Sequence, residues 1–270
     1  MITNNYHTHT TYDDGNNSTE EMVIAAIKKG MSVLGFSGHS NTAFDQRYCM
    51  TKEKTALYIN ELTSLKEKYK GKLEILIGIE QDYYGDTPEY SYDYVIGSCH
   101  YLKTPSGYMP IDDSLEDMLK CVNEDYDGKF LSYARDYFEM VSSVKLKTGC
   151  DIVGHFDLIS KFNENDKVYN SRDFKYLSYA YEAVKTLCSQ DAVFEINTGA
   201  MWKKYRTDPY PQADILKAIY EYGGKITFSS DSHDTASLCC YFDEAAELAR
   251  ICGFHEYVDF SDKKGILLPL

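Results

Sequence analysis

The chain has no C-x-x-C pair among its eight cysteines, no charged-then-apolar leader, and no apolar run near the ~18 residues that a membrane helix needs. Free thiols in a reducing cytoplasm are therefore expected, with no membrane partner. Basic residues are scarce: 28 Lys and Arg stand against 42 Asp and Glu, a net charge of −14. That balance excludes binding through a phosphate backbone, which depends on lysine and arginine displacing counterions, so no nucleic acid is expected. No G-x-G-x-x-G follows the first apolar run and no P-loop occurs, which leaves a nucleotide cofactor without support. No Pro/Ser-rich linker or internal repeat divides the 270 residues, and residues 1–270 are expected to form a single domain. A small substrate fits this composition. With 25 tyrosines, a homo-oligomeric contact stays open, and the tyrosine-rich region 83–108 reads equally as a lid or as an interface.

What is present is alternation. Short apolar runs at 31–39, 72–80, 92–100, 150–158, 192–197, 225–233 and 256–260 read as strands. Helical patterns at 18–30, 52–69, 114–121, 131–148, 172–188, 213–222 and 235–252 separate them, and 101–113 and 198–212 are the longest irregular stretches. Strand–helix alternation implies a parallel sheet with helices outside, and seven or eight repeats suit a closed or nearly closed α/β barrel.

The strand ends carry the chemistry. They read His7-x-His9, His39, Glu80, His100, His155-x-Asp157, Glu195-x-Asn197 and Asp231-x-His233. Six of the seven histidines lie there, on the face where parallel barrels place their active sites, and His255 alone is left as a structural or surface residue. Residues two apart share a face of a strand, so each pair can point into the barrel mouth. Imidazoles and carboxylates without a thiolate motif suit Zn²⁺, Mn²⁺ or Fe²⁺. His7, His9, Asp14, His39, Glu80, His100, His155, Asp231 and His233 are the candidate ligands, with Asp13 a rival to Asp14. Nine candidates exceed what one ion takes. Glu80 has histidines on both neighbouring strands, as a bridging ligand would.

The motifs H-T-H, GHS, GIE, GSCH, GHFDL, EIN and SDSH, in this order and spacing, resemble the polymerase and histidinol phosphatase (PHP) family, and within it the stand-alone histidinol-phosphate phosphatases. The resemblance runs from His7 to about residue 233. It implies a distorted (β/α)7 TIM-like barrel with three divalent metals at the C-terminal ends of the strands. By motif, His7, His9, Glu80 and Asp231 would hold the first metal, Glu80, His100 and His155 the second, and Asp14, His39 and His233 the third. The implied activity is hydrolysis of L-histidinol phosphate to L-histidinol and phosphate by a metal-bridging hydroxide. Glu80, Asp231 and His233 are the catalytic candidates. Asp231, His233 or a metal-bound water are equal candidates to protonate the leaving alkoxide.

For the phosphate, Lys203 and Arg206 after the sixth strand and Lys161 after the fifth are candidate cations, whereas Lys204 reads as a surface lysine. Glu195 and Asn197 are candidates for the substrate's amine or for supporting the metals. Alternatives are another small phosphoester (a nucleotide, a sugar phosphate or phosphotyrosine), an amidohydrolase-type C–N hydrolase, and a non-catalytic metal-binding barrel. The amidohydrolase type usually bridges its metals with a carboxylated lysine, where this chain has Glu80.

Overall fold

In the computed structural model, which describes residues 2–261 and 265–270, the strands β1 (Asn4–Asn5), β2 (Val33–Phe36), β3 (Glu74–Asp82) and β4 (Tyr94–Ser98) are followed by a hairpin, β5 (Tyr101–Thr104) and β6 (Gly107–Pro110). After these come β7 (Ile152–Val153), β8 (Val193–Asn197), β9 (Lys225–Ser229), β10 (Glu256–Asp259) and β11 (Ile266–Pro269). The helices are α1 (Thr19–Lys28), α2 (Lys52–Lys68), α3 (Leu115–Asp125), α4 (Phe130–Ser142), α5 (Val144–Thr148), α6 (Phe174–Ser189), α7 (Gly199–Trp202), α8 (Ala213–Glu221) and α9 (Phe242–Ile251).

Seven strands form one parallel sheet in the order β1-β2-β3-β4-β7-β8-β9. A parallel bridge between Thr8 and Ser232 joins its two edges, with His9 N donating to Ser232 O at 2.8 Å and Ser232 N to His7 O at 3.1 Å. The sheet is thereby all but closed into a distorted TIM-like barrel, and the closing contacts fall between the two halves of the H-x-H and D-x-H pairs.

The barrel interior is filled by Tyr6, Leu76, Tyr94, Ile96, Ile152 and Val193, to which Val258 of β10 and Phe260 just after it are added. Tyr94 dictates its surroundings. A Cβ at Gly35 or Gly78 would come within 2.4 Å of the Tyr94 ring or hydroxyl, so the glycines inside two otherwise apolar strands are the space this side chain occupies. Outside, α1 and α2 cover one side through Met22, Val23, Ala26, Tyr58, Leu62 and Leu65, while α4, α6, α8 and α9 cover the other. The start of α1 is fixed by a capping box, in which Ser18 and Glu21 each bond the other's backbone N–H. Among the described residues no helix is long and apolar enough to cross a membrane.

Four segments depart most from the sequence expectation. The run 150–158 is a strand only over Ile152–Val153, because the chain turns at Gly154 into a short 3-10 turn, Leu158–Ser160. The helix expected over 235–252 begins at Phe242, since the Asp234 carboxylate takes the N–H groups of Ala236 and Ser237 in a turn. The stretch 101–113, expected irregular, holds the β5–β6 hairpin, and 198–212 holds the single turn α7.

Candidate metal centre

Glu80, near the end of β3, lies at the middle of the strand-end residues and is 1% exposed. Its Oε2 is 3.1 Å from His7 Nε2, 3.6 Å from His9 Nε2 and 2.9 Å from His39 Nδ1. Its Oε1 is 3.3 Å from His100 Nε2 and 3.0 Å from His155 Nε2. Asp231 Oδ1 approaches His9 Nε2 at 3.2 Å and His7 Nε2 at 3.9 Å. Asp14 sits across from these, its Oδ2 3.2 Å from His233 Nε2 and its Oδ1 3.8 Å from His39 Nε2. All nine candidate ligands thus meet in one place. Three overlapping groups have donor atoms close enough to share an ion: His9, Asp14, His39 and His233; His7, His9 and Glu80; His39, Glu80 and His100.

Behind these side chains lie carboxylates that aim them. His7 Nδ1 is 2.9 Å from Glu195 Oε2, His9 Nδ1 is 2.6 Å from Asp13 Oδ2, and His100 Nδ1 is 3.2 Å from Asp82 Oδ2. A carboxylate on Nδ1 fixes the proton there and turns the Nε2 lone pair inward. Asp13 also accepts from Thr10 N and His39 N, so it faces the protein while Asp14 faces the histidines.

Glu195 and Asn197 are not at the mouth, where an amine-binding role would need them. Both are fully buried, and Glu195 accepts from His7 Nδ1, Ser229 Oγ, His155 N and Asn197 Nδ2. With four donors aimed at one carboxylate, Glu195→Gln would set an amide N–H₂ against donors. Its expected result is a 10- to 100-fold loss of metal affinity with an intact fold, read by metal titration alongside circular dichroism.

Burial alone would lower the pKa of both imidazoles of the opening pair. At His7, Glu195, Glu80 and Asp231 outweigh it and raise the pKa well above the ordinary value. At His9, Asp13 leads in pushing it up to about 10. Burial would raise Glu80, but His7, His39 and His100 hold it well below the usual carboxylate range. Asp231 is likewise held low against burial by Lys203 and His7, and His233 is lowered by burial, Lys203 and His9.

The centre therefore needs positive charge. Its buried atoms without a hydrogen-bond partner are His7 Nε2, His9 Nε2, Glu80 Oε2 and Asp14 Oδ1, all of them acceptors once Nδ1 carries the proton. Facing lone pairs about 3 Å apart are stable only with protons or a cation between them, and the donor set of imidazole and carboxylate fits a divalent metal.

The centre forms the floor of a cavity of about 340 Å³ whose wall includes Asp45, Tyr48, Tyr101, Asp112, Asp113, Lys161, Lys203, Tyr205 and Tyr210. Lys161 is in the cavity wall, its Nζ held by Asp112 Oδ2 at 2.9 Å and Asp112 O at 2.7 Å. Lys203 is exposed at the rim. Arg206 is not in this wall, contrary to expectation. Its side chain turns back into the protein, Nη1 donating to Ser160 O at 3.0 Å and the guanidinium lying 5.7 Å from the Tyr210 ring. Lys204 lies outside the cavity. Asp157 does not share the mouth with His155, because the turn after Gly154 breaks the two-residue alternation, and its Oδ2 accepts from Gln212 N.

Sequence reasoning missed Asp82 and Asp112. Asp82 had a signal, being two residues after Glu80 on the same strand, as the histidine pairs are. Asp112 had none, because it sits beyond a hairpin that the sequence did not disclose. His255 is exposed and distant from the cavity, Cys99 is buried in the core, and all eight cysteines are unpaired.

Known proteins resemble the chain over most of its length. The family pattern described as "PHP domain" matches residues 5–199. The chain is 28% identical over 245 residues to the "Probable histidinol-phosphatase" of Deinococcus radiodurans, covering 86% of each chain. It is 24% identical over 276 residues to the histidinol-phosphatase of Lactococcus lactis subsp. lactis, covering 96% of this chain and 94% of that one. Its backbone matches the crystal structure of histidinol phosphate phosphatase from the latter organism, solved with zinc, L-histidinol and phosphate, at a TM-score of 0.76 and 23% identity over 98% of both chains.

Proposed function

Since the chain belongs to the PHP domain family, we propose that it is a metal-dependent phosphomonoesterase that hydrolyses L-histidinol phosphate to L-histidinol and phosphate, a step of histidine biosynthesis. The observation that carries the reading is the convergence of six histidines, Asp14, Asp231 and the central Glu80 on the floor of a cavity sized for a small phosphoester. The names of the relatives, histidinol-phosphatases across bacteria and yeasts, support the substrate.

Three divalent ions, Zn, Mn or Fe, are proposed. His7, His9, Glu80 and Asp231 would hold the first, Glu80, His100 and His155 the second, and Asp14, His39 and His233 the third. Bound there, such ions neutralise phosphoryl oxygens and acidify water. The rest falls to the chain itself. Glu195, Asp13 and Asp82 keep the imidazoles of His7, His9 and His100 in one tautomer and orientation. Lys161, fixed by Asp112, and Lys203 at the rim offer ammonium groups to the phosphate. Lysine places a point charge rather than a bidentate fork there, so the phosphate's orientation must come from elsewhere. Asp231 is ionised in this setting and is an acceptor, not a resting acid for the leaving alkoxide. Asp45 and Asp113 share Arg47 between them, at 2.7 and 3.0 Å, which leaves the trio one net negative charge beside Tyr48 and Tyr101 for a cationic aminoalcohol with an aromatic ring.

Phosphate release from histidinol phosphate, nucleotides, sugar phosphates and phosphotyrosine, by protein loaded with Zn²⁺ or Mn²⁺, tests the reading. A strong preference for histidinol phosphate that is abolished in His9→Ala is the expected result. Turnover of another ester in its place would overturn the substrate and keep the chemistry. Binding of metal with no hydrolysis at all would overturn both.

A further inference from the structure

A buried polar atom without a partner marks what a site is built to receive, because leaving it unsatisfied forfeits its hydration with nothing in return. In the cavity wall there are three such side-chain atoms among the described residues: Asp14 Oδ1, Glu80 Oε2 and the hydroxyl of Tyr210. The first two are carboxylate oxygens and are answered by cations. The third is a hydroxyl, free to donate, and no metal ligation accounts for it.

Tyr210 is 3% exposed and rigidly placed. Its backbone closes an antiparallel bridge onto the end of β8, with Asn197 N donating to Tyr210 O at 2.7 Å and Tyr210 N to Asn197 O at 2.9 Å. Its ring stands edge-on to His155 with centroids 6.5 Å apart, which puts it beside the metal cluster. The other walls of the cavity supply Lys161 and Lys203, so a donor at Tyr210 would join two cations. The Arg206 guanidinium lies 5.7 Å from the ring centroid and helps to hold the ring in place. Arg206 Nε and Asp157 Oδ1 are also buried without partners nearby, but neither residue reaches the cavity, so a ligand there meets Tyr210 alone.

Resting on the phosphatase reading above, we infer that the Tyr210 hydroxyl donates a hydrogen bond to a phosphoryl oxygen of the bound substrate, supplying the directional contact that the two lysines do not. It is a substrate-binding residue, and it selects for the phosphate rather than for the aminoalcohol.

The experiment compares metal-loaded wild type with Tyr210→Phe, and with Tyr133→Phe as a control, since Tyr133 also carries a buried unpartnered hydroxyl but lies away from the cavity. Binding of inorganic phosphate is titrated by calorimetry, together with binding of L-histidinol, metal content and Tm. The expected result for Tyr210→Phe is a roughly 10- to 100-fold loss of phosphate affinity, the size of a hydrogen bond to a charged group. L-histidinol affinity stays within twofold, metal content and Tm hold, and kcat/KM for histidinol phosphate falls in parallel. Tyr133→Phe leaves all of these unchanged. Phosphate affinity within twofold of wild type in a folded, fully metallated Tyr210→Phe overturns the inference. So does a loss explained by lower metal content or lower Tm, which would assign the hydroxyl to Asp157 or to an internal water. Failure of the substrate reading shows separately, as absence of histidinol phosphate hydrolysis by the wild type, because the phosphate titration alone decides Tyr210.

Discussion

Glu80→Gln is expected to empty at least one metal position and to lower phosphatase activity by about a thousandfold or more, since several kcal/mol of charge stabilisation is at stake. The reason lies in the two oxygens. Oε2 faces His7, His9 and His39 and Oε1 faces His100 and His155, all within 3.6 Å, so one carboxylate serves two groups of imidazoles at once. Glutamine keeps the shape but leaves one oxygen, no charge, and an N–H₂ that donates into an imidazole lone pair where a cation should be. Glu195→Gln disturbs one imidazole from behind, whereas Glu80→Gln removes the carboxylate that five of the six histidines share. The checks are elemental analysis of the dialysed protein and phosphate release under saturating metal. A variant that keeps its full metal complement and more than a tenth of wild-type activity would show that Glu80 bridges nothing.

The metal floor was legible in the sequence because it obeys periodicity. His7-x-His9 and Asp231-x-His233 lie past the last residues of β1 and β9, and Asp231 has φ +46°, but the Thr8–Ser232 bridge pairs the two segments and holds both pairs at the metal floor. The rule failed where no such bridge continued a short strand. β7 is two residues long, and once the chain turned at Gly154 the spacing between His155 and Asp157 no longer meant a shared face. It failed again at Glu195 and Asn197, which share a face that points beneath the imidazoles rather than into the mouth. Loops carry no such periodicity. Arg206, three residues past Lys203, looked like a phosphate ligand by charge alone, and its inward turn toward Ser160 and Tyr210 is a matter of tertiary packing. Asp112 became a partner of Lys161 only because the β5–β6 hairpin carries it over the mouth, and Tyr101 and Pro110 of that hairpin form part of the cavity wall. Local chemistry was readable where a regular element fixed direction, and unreadable where direction came from contacts distant in sequence.

Removing the metals should reverse the protein's response to pH. In the metal-free chain the buried carboxylates are answered by protons on the imidazoles, His9 being pushed up to about 10 from an ordinary 6.5. A group whose folded pKa is raised stabilises the fold fully below its unfolded pKa, and that contribution is lost as pH rises through the folded value. The chelated protein is therefore expected to lose stability steadily between about pH 6.5 and pH 10, as His9 gives up its proton among Asp13, Asp14 and Asp231. The loaded protein goes the other way, because metal and proton compete for the same lone pairs and metal affinity rises as the imidazoles lose their protons. Metal at a thousandfold excess over its Kd adds about 4 kcal/mol per site, enough to dominate the comparison. The Tm gap between zinc-loaded and chelated protein should accordingly widen from pH 6 to pH 9. Zinc loading at pH 7 should also release protons, seen as calorimetric enthalpies that depend on the buffer's ionisation heat. An equal Tm gap at both pH values, with no proton release, would mean that the histidines of the barrel floor are neutral before any metal arrives and that their carboxylate partners do not hold protons on them.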